Sequence, residues 1–382
     1  MRVLHVISGL DAPVGGPAVA LWGLSEAQAR QGLDVSIAAS WVPGTDLAVA
    51  DRLGGRGVKV HTVGPCRDFL CWSAQIRPFL RKLVPQFDIL HIHGVWEEIH
   101  HQACRAAQKS GVPYIIRPCG MLDEWSYGNR IWSKRVYMLV RMRRNLDRAA
   151  AMHYLSEAES DSVARLNLRP QAIVEPNGID LAEFEQLPPR GTFRSKHPVL
   201  GERPYIVFLG RIHKGKGLEL LIPAMARLQR RDVMAVVVGP DNEGYLSQMQ
   251  QLARRKGVDD RILWTGLMRG ADRLAALVDA ELFCLPSFHE NFGVAVIEAL
   301  AAGLPAIVSD HVSACSHIRA GQVGGVARLD ADDLARELDR WLADDRLRKG
   351  AAERARPFAF ENFNWTRIAG RWTEHYRRLI GT

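Results

Sequence analysis

Apolar positions along this chain fall into runs of two kinds. Short runs rich in β-branched residues read as buried strands: VLHVI at 3–7, DVSIAAS at 34–40, VKVHTV at 58–63, FDILHIHG at 87–94 and PYII at 113–116. Between them lie longer stretches with apolar residues at helical spacing. The first runs from about Pro17 to Gln31, with proline near the start, where its fixed φ suits a helix. AMHYL at 151–155 is another strand, and Ser156 with Glu159 has the spacing of a capping box. Past residue 204 the alternation resumes with YIVFLG, VMAVVVGPD, RILWTGLM, AELFCLPS and LPAIVSD. Such alternation predicts α/β architecture, parallel sheets covered by helices on both faces. Ligands of such sheets gather at the C-terminal strand ends.

The pattern breaks once. LPPRGTFRSKHPVLGERP, 187–204, is rich in proline, glycine and charge, the composition of a linker. We therefore expect one doubly wound domain over 1–185, a linker over 186–203 and a second domain over 204–360. The length of 382 residues fits two cores better than one. No apolar run approaches eighteen residues, so a membrane span is not expected, and MRVLHVISGL reads as a first strand rather than a secretory signal. The six cysteines are scattered without a CxxC pair, which suits reduced thiols in a cytoplasmic protein and implies neither zinc nor a disulfide scaffold. A formal net charge of +8 favours anionic partners, but no nucleic-acid module is present.

Two loops carry the strongest chemistry. In RIHKGKG, Arg211 and Lys216 bracket a turn freed by Gly215 and Gly217; two fixed positive charges there would neutralise a departing diphosphate. In CLPSFHENFGVAVIEALAAG, 284–303, a strand ends at Pro286, a polar loop follows, and a helix begins near Phe292 and stops at Gly303. The amides of Asn291, Phe292, Gly293 and Val294 would point out of that helix mouth, where a phosphate is held. Glu290 lies before the helix and Glu298 about two turns along, one carboxylate near the phosphate and one farther off. The same spacing also suits a plain helix with an acidic first turn. DAD at 330–332 reads as a helix cap, so no metal is expected there.

SFHENFGVAVIEALAAGLPAIVSD resembles the donor-site signature of the family-4 retaining glycosyltransferases, of bacterial surface-polysaccharide type, which have the two-domain GT-B fold with both domains facing a central cleft. GGP at 15–17, PNGID at 176–180 and FLGRIHKGKG at 208–217 match the same family in the expected order. The resemblance implies that Arg211, Lys216, Gly16, Gly210 and the helix mouth hold the diphosphate. Glu290 would hold sugar hydroxyls, Glu298 the ribose, and Gly266 with Leu267 would pack along the base. It also implies that the terminal helix, 361–382, packs back on the first domain. Asp11, in the glycine-rich loop, would help bind acceptor.

In the first half, His91 and His93 share a strand face, and His93 stands at the strand end beside Gly94. A buried histidine bonded to backbone is the commoner use of such a residue, and His93 is the acceptor-side candidate. RPCGMLDEW, 117–125, departs from the family by placing Cys119 where a basic residue is expected. On an extended strand Arg117 would share its face and supply that charge. The stretch 130–148 reads as an amphipathic basic helix, suited either to an anionic bilayer or to the sheet with a solvated arginine face.

These readings converge on a metal-independent hexosyltransferase with no cofactor. The donor would be a nucleoside diphosphate sugar, UDP-hexose before GDP-mannose, and the acceptor a hydroxyl of a polysaccharide or lipid-linked glycan. The work would be done in the cytoplasm or at the inner face of the membrane. The rivals are a non-hydrolysing sugar-nucleotide epimerase and a noncatalytic nucleotide-sugar or membrane-surface binding module.

Overall fold

Two all-parallel sheets organise the chain. A computed structural model describes residues 1–10, 16–67, 70–122, 141–241 and 244–381. It divides into one unit of Met1–Gly178 with Trp365–Thr382 and a second of Ile179–Asn364. The first unit holds β1 (Arg2–Ile7), β2 (Asp34–Ser40), β3 (Lys59–Val63), β4 (Ile89–His93), β5 (Tyr114–Arg117), β6 (Ala151–Tyr154) and β7 (Gln171–Val174). Their order is β3-β2-β1-β4-β5-β6-β7. The second holds β8 (Tyr205–Leu209), β9 (Met234–Val238), β10 (Ile262–Gly266), β11 (Leu282–Leu285), β12 (Ala306–Ser309) and β13 (Gly324–Ala327), in the order β10-β9-β8-β11-β12-β13. Each unit is a doubly wound α/β fold. The strand order reverses between β1 and β4 in the first and between β8 and β11 in the second, which is where such sheets open a ligand crevice.

Of the strands read from apolar runs, every residue of β4, β9, β11 and β12 is buried, whereas β3, at the edge of its sheet, buries only Val63. β13 was not expected, because GGVA lacks a bulky run. Its glycines answer to its neighbours instead. A Cβ on Gly324 would come within 1.9 Å of the Ala306 carbonyl oxygen, and one on Gly325 within 2.2 Å of Glu337.

The stretch 187–204 is folded rather than a free linker. It carries a short helix, Thr192–Lys196, tied down by the buried Asp279. That carboxylate accepts hydrogen bonds from the backbone amides of Gly191, Phe193 and Arg194 at 2.5, 2.8 and 3.1 Å. Composition alone misses this because the partner lies more than eighty residues away.

The terminal helix Trp365–Ile380 buries Ile368, Ala369, Trp372 and Tyr376 against Val3, Leu24, Ile89, Ile115 and Ala151 of the first unit. The Trp365 indole lies so close to Gly23 and Gly178 that a Cβ on either would fall within 2.2 and 2.5 Å of it. Neither Asn177 nor Gly178 has positive φ; Gly178 is there to admit the indole. No helix among the described residues is long and apolar enough to cross a membrane.

Candidate functional site

In the second unit, the loops after β8 and β11 meet at the point of strand reversal. Gly215 and Gly217 take positive φ, 96° and 85°, and a Cβ on Gly217 would stand 1.9 Å from the Pro286 carbonyl oxygen. Only glycine permits that approach. The Phe288 amide donates to the Gly215 carbonyl at 2.8 Å, and the Ser287 hydroxyl donates to that of Lys216 at 3.4 Å. Locked together, the loops bring the Lys216 ammonium and the Glu290 carboxylate into an ion pair, each side chain about one-fifth exposed. Backbone bonds to His311 and from Ser313 hold Glu290 in place at 3.3 and 3.0 Å. Arg211 is exposed and, among the described residues, has no side-chain partner.

Gly210 serves register. Its amide donates to the Val238 carbonyl at 2.9 Å, and its own carbonyl lies where a Cβ on Gly239 would be, at 1.8 Å. Gly266 ends β10 at φ 72°, and the exposed Leu267 follows it.

The helix opens later than expected, at Val294, with Gly293 as N-cap at φ 83° and no side chain capping the first turn. Phe292 is buried and packs edge-on against Phe363 at 5.9 Å, so it belongs to the core and not to the helix. Asn291 is partly exposed and Val294 exposed at the mouth. Glu298 consequently lies about one turn in, not two. Its carboxylate accepts from the Arg273 guanidinium at 2.5 Å, and Arg273 also pairs with Glu183. Burial pushes the Glu298 carboxyl above the usual glutamate range, against the pull of that guanidinium. Arg273 had not been singled out. It lies 25 residues from Glu298 on another helix, and nothing in its own helix marks it.

The first unit offers a different construction. His153 Nε2 meets the Glu175 carbonyl oxygen at 2.9 Å and must carry a hydrogen there, since a carbonyl only accepts. His153 Nδ1 then accepts from His91 Nε2 at 3.0 Å, and His91 Nδ1 accepts from the Tyr376 hydroxyl at 2.8 Å. Gln28 donates to Tyr376 at 3.2 Å and accepts from His5 Nε2 at 2.8 Å. Finally His5 Nδ1 accepts from His93 Nε2 at 2.9 Å. One carbonyl thus sets every tautomer in the chain.

All four histidines are neutral at pH 7. Burial drives the pKa of His5 down to about 4 and those of His91, His93 and His153 well below the usual imidazole value. The nitrogens of His5, His91 and His93 approach closely enough for a metal to be considered. Five of these six atoms are already committed to hydrogen bonds, so the group is a hydrogen-bonded chain and not a ready ligand set.

The end of that chain is open. His93 Nδ1 is buried without a partner, and so is Nε of the buried Arg117, which pairs with His93 in strand register and donates through its other end to Asn177 at 2.9 Å. Cys119 does not share Arg117's face as expected. β5 ends at Arg117, and Cys119 sits in a turn at φ 56° with its thiol toward the Arg117 carbonyl at 3.6 Å. Burial pushes that thiol up to about 11, which leaves it inert. Gly16 opens the helix Gly16–Arg30, and no neighbour among the described residues demands glycine there. Asp11 lies outside the described residues, as does most of 130–148; of that stretch the structure describes 141–148, including the short helix Arg143–Asp147.

Comparison with known proteins bears on both units. The family profile described as "Glycosyl transferase 4-like domain" matches residues 15–178, and that described as "Glycosyl transferases group 1" matches residues 189–358. An uncharacterized glycosyltransferase of Methanocaldococcus jannaschii is 28% identical over 95% of this chain and 94% of its own length. A D-inositol 3-phosphate glycosyltransferase of Salinispora arenicola is 35% identical, but the match spans 54% of this chain and about half, 49%, of that protein. The crystal structure of Anabaena Alr3699/HepE in complex with UDP is similar at a TM-score of 0.79 and 19% identity, covering 99% of this chain and 100% of that one. At that identity the likeness shows the fold alone.

Proposed function

The chain belongs to the group 1 glycosyl transferases of the family-4-like, GT-B type, and from that premise we propose that it moves a hexosyl unit from a nucleoside diphosphate sugar to a glycan hydroxyl with retention at the anomeric carbon. The observation that carries the reading is the meeting of Lys216 and Glu290 beside Arg211 at the strand reversal of the second unit. As the site stands, the ammonium and carboxylate satisfy each other. A diphosphate arriving beside Arg211 and the uncapped helix mouth would take the ammonium for itself. That would release the Glu290 carboxylate to the hydroxyls of the sugar.

Charge then grows on the diphosphate as its bond to the anomeric carbon breaks. Arg211 and Lys216 are fixed in advance to receive it, which supports departure without a metal. The departing phosphate oxygen takes the proton of the acceptor hydroxyl, and the acceptor oxygen bonds to the anomeric carbon on the face the phosphate leaves. Glu298 would accept from the ribose hydroxyls, sharing them with Arg273. The exposed Leu267 would lie along the base. In the first unit, the open acceptor at His93 Nδ1 and the open donor at Arg117 Nε suit a hydroxyl, which both gives and takes a hydrogen bond.

UDP-hexose is the first choice of donor, GDP-mannose the second, and the acceptor is a polysaccharide or lipid-linked glycan. A thermal-shift panel of UDP, GDP and ADP with their common sugars identifies the base, because a ligand bound only by the folded state raises its stability. Purified protein given the matching donor should release nucleoside diphosphate with chelator present. Loss of activity with chelator, or recovery of an epimerised donor without release, would overturn the reading.

A further inference from the structure

On the flank of the first unit, a groove of about 170 Å³ lies between the helices Ile76–Leu83 and Glu98–Ser110. Arg77 and Arg81 stand one turn apart on the first helix, and Arg105 and Lys109 one turn apart on the second. The buried His101 and Ala106 form its floor, the small alanine giving it depth.

Two like charges at i and i+4 repel on any helix. Here two such pairs face one groove. Elsewhere the chain relieves such crowding with carboxylates: Arg336 and Arg340, also one turn apart, pair with Asp333 and Glu337. None of the four groove cations has an ion-pair partner among the described residues. The one carboxylate of the second helix, Glu98, is taken by Arg141 at 2.9 Å and by Gln102 at 2.7 Å. The helix Ile76–Leu83 has no acidic residue at all.

We propose that this groove binds a phosphate group, carried by a phospholipid headgroup or by a soluble phosphate ester. Guanidinium forks match phosphate oxygens two at a time, and the lysine adds a point charge. The volume equals about six waters in the liquid, at roughly 30 Å³ each, room for a phosphate and part of what it is bonded to. The binding does not rest on the transferase reading, since neither helix supplies a residue to the donor site.

The test compares the full-length protein with a form carrying Arg77→Ser, Arg81→Ser, Arg105→Ser and Lys109→Ser, all four side chains being exposed. Both are built on Lys216→Ala, so that the donor site does not contribute. One arm titrates inorganic pyrophosphate and glycerol 3-phosphate by calorimetry. The other co-sediments protein with vesicles of phosphatidylglycerol and phosphatidylcholine, and with phosphatidylcholine alone. We expect at least a tenfold loss of affinity in the fourfold variant in one arm. Loss confined to the vesicles assigns a lipid headgroup, and loss confined to the soluble phosphates assigns a phosphate ester. Equal binding by both forms in both arms, or no binding by the parent in either, overturns the proposal. An unchanged thermal transition of the variant shows that it folds.

Discussion

The two units solve the same topological problem with opposite chemistry. At the strand reversal of the second, the working groups are charged, partly exposed and paired: Lys216 with Glu290, Arg273 with Glu298, and Arg211 open to solvent. At the strand reversal of the first, they are neutral imidazoles sealed from water and threaded from His93 to Glu175 by hydrogen bonds. A charged site can exchange its internal ion pairs for those of a ligand. A buried neutral chain cannot, because charging any ring would cost desolvation and break a bond on each side. The proposed function follows this difference, with the anion on the second unit and the hydroxyl on the first.

The largest effect that sharpens this contrast concerns Trp372. Its ring packs at a tilt against His91 and His153, with centroid distances of 4.6 and 4.4 Å. Trp372→Ala should cost about 3–5 kcal/mol through the cavity it opens. Hydrogen exchange should quicken in β1 and β4 while β8 and β11 stay protected; equal loss in both would break the contrast.

Arg211→Ala and Lys216→Ala come next. Each removes a charge that stabilises the leaving diphosphate, and turnover should fall about 10²-fold, near 2.7 kcal/mol. Initial rates of nucleoside diphosphate release measure this. A rate within threefold of the parent for either variant contradicts the assignment.

The two glutamates should separate by a smaller margin. Leaving a buried ligand hydroxyl unpaired costs about 1–3 kcal/mol. Glu298→Gln should weaken nucleoside diphosphate and sugar nucleotide alike. Glu290→Gln should leave the bare nucleotide bound while slowing transfer and blurring the choice between hexoses. Equal loss of bare nucleotide in both variants denies the division.

Acid sets the two units apart most gently. The four buried histidines have folded-state pKa values below the ordinary 6.5, with His5 at about 4. Between those values the unfolded chain binds protons that the folded one refuses. Stability of the first unit therefore falls as pH drops from about 6.5 toward about 4. Glu298 has the opposite sign. Its folded pKa lies above 4.5, so the folded form holds the extra proton, and its contribution is lost as pH rises through that range. Exchange protection followed from pH 7.5 to 5 should fade first in β1 and β4.

Legibility in the sequence followed the same divide. The strands, the cap at Ser156 and the cap at Asp330 all rest on residues within a few positions of each other, and the structure has them. Arg211, Lys216, Glu290 and Glu298 stand out as candidates within two short loop–helix motifs, and the structure brings Lys216 and Glu290 of the two into an ion pair. What escaped depends on distant partners. Arg273 meets Glu298 only through the packing of two helices, and Tyr376 reaches His91 across 285 residues. Asp279 holds the supposed linker from beyond reach of any local pattern. The demands on Gly178 and Gly324 come from an indole and a neighbouring strand rather than from their own turns, so no local pattern shows them. Cys119 was placed on a strand that stops two residues earlier.

The central claim is that Arg211 and Lys216 of the second unit hold the donor's diphosphate and the buried histidine chain of the first does not. Calorimetric titration of the nucleoside diphosphate that stabilises the protein most, against the parent, the double variant Arg211→Ala with Lys216→Ala, and His93→Gln, tests it directly. His93→Gln replaces the imidazole by an uncharged amide that can still donate toward His5, which preserves the buried chain. The account predicts that the double variant loses at least tenfold in affinity and that His93→Gln stays within twofold of the parent. Undiminished binding by the double variant, or a tenfold loss in His93→Gln, would contradict it.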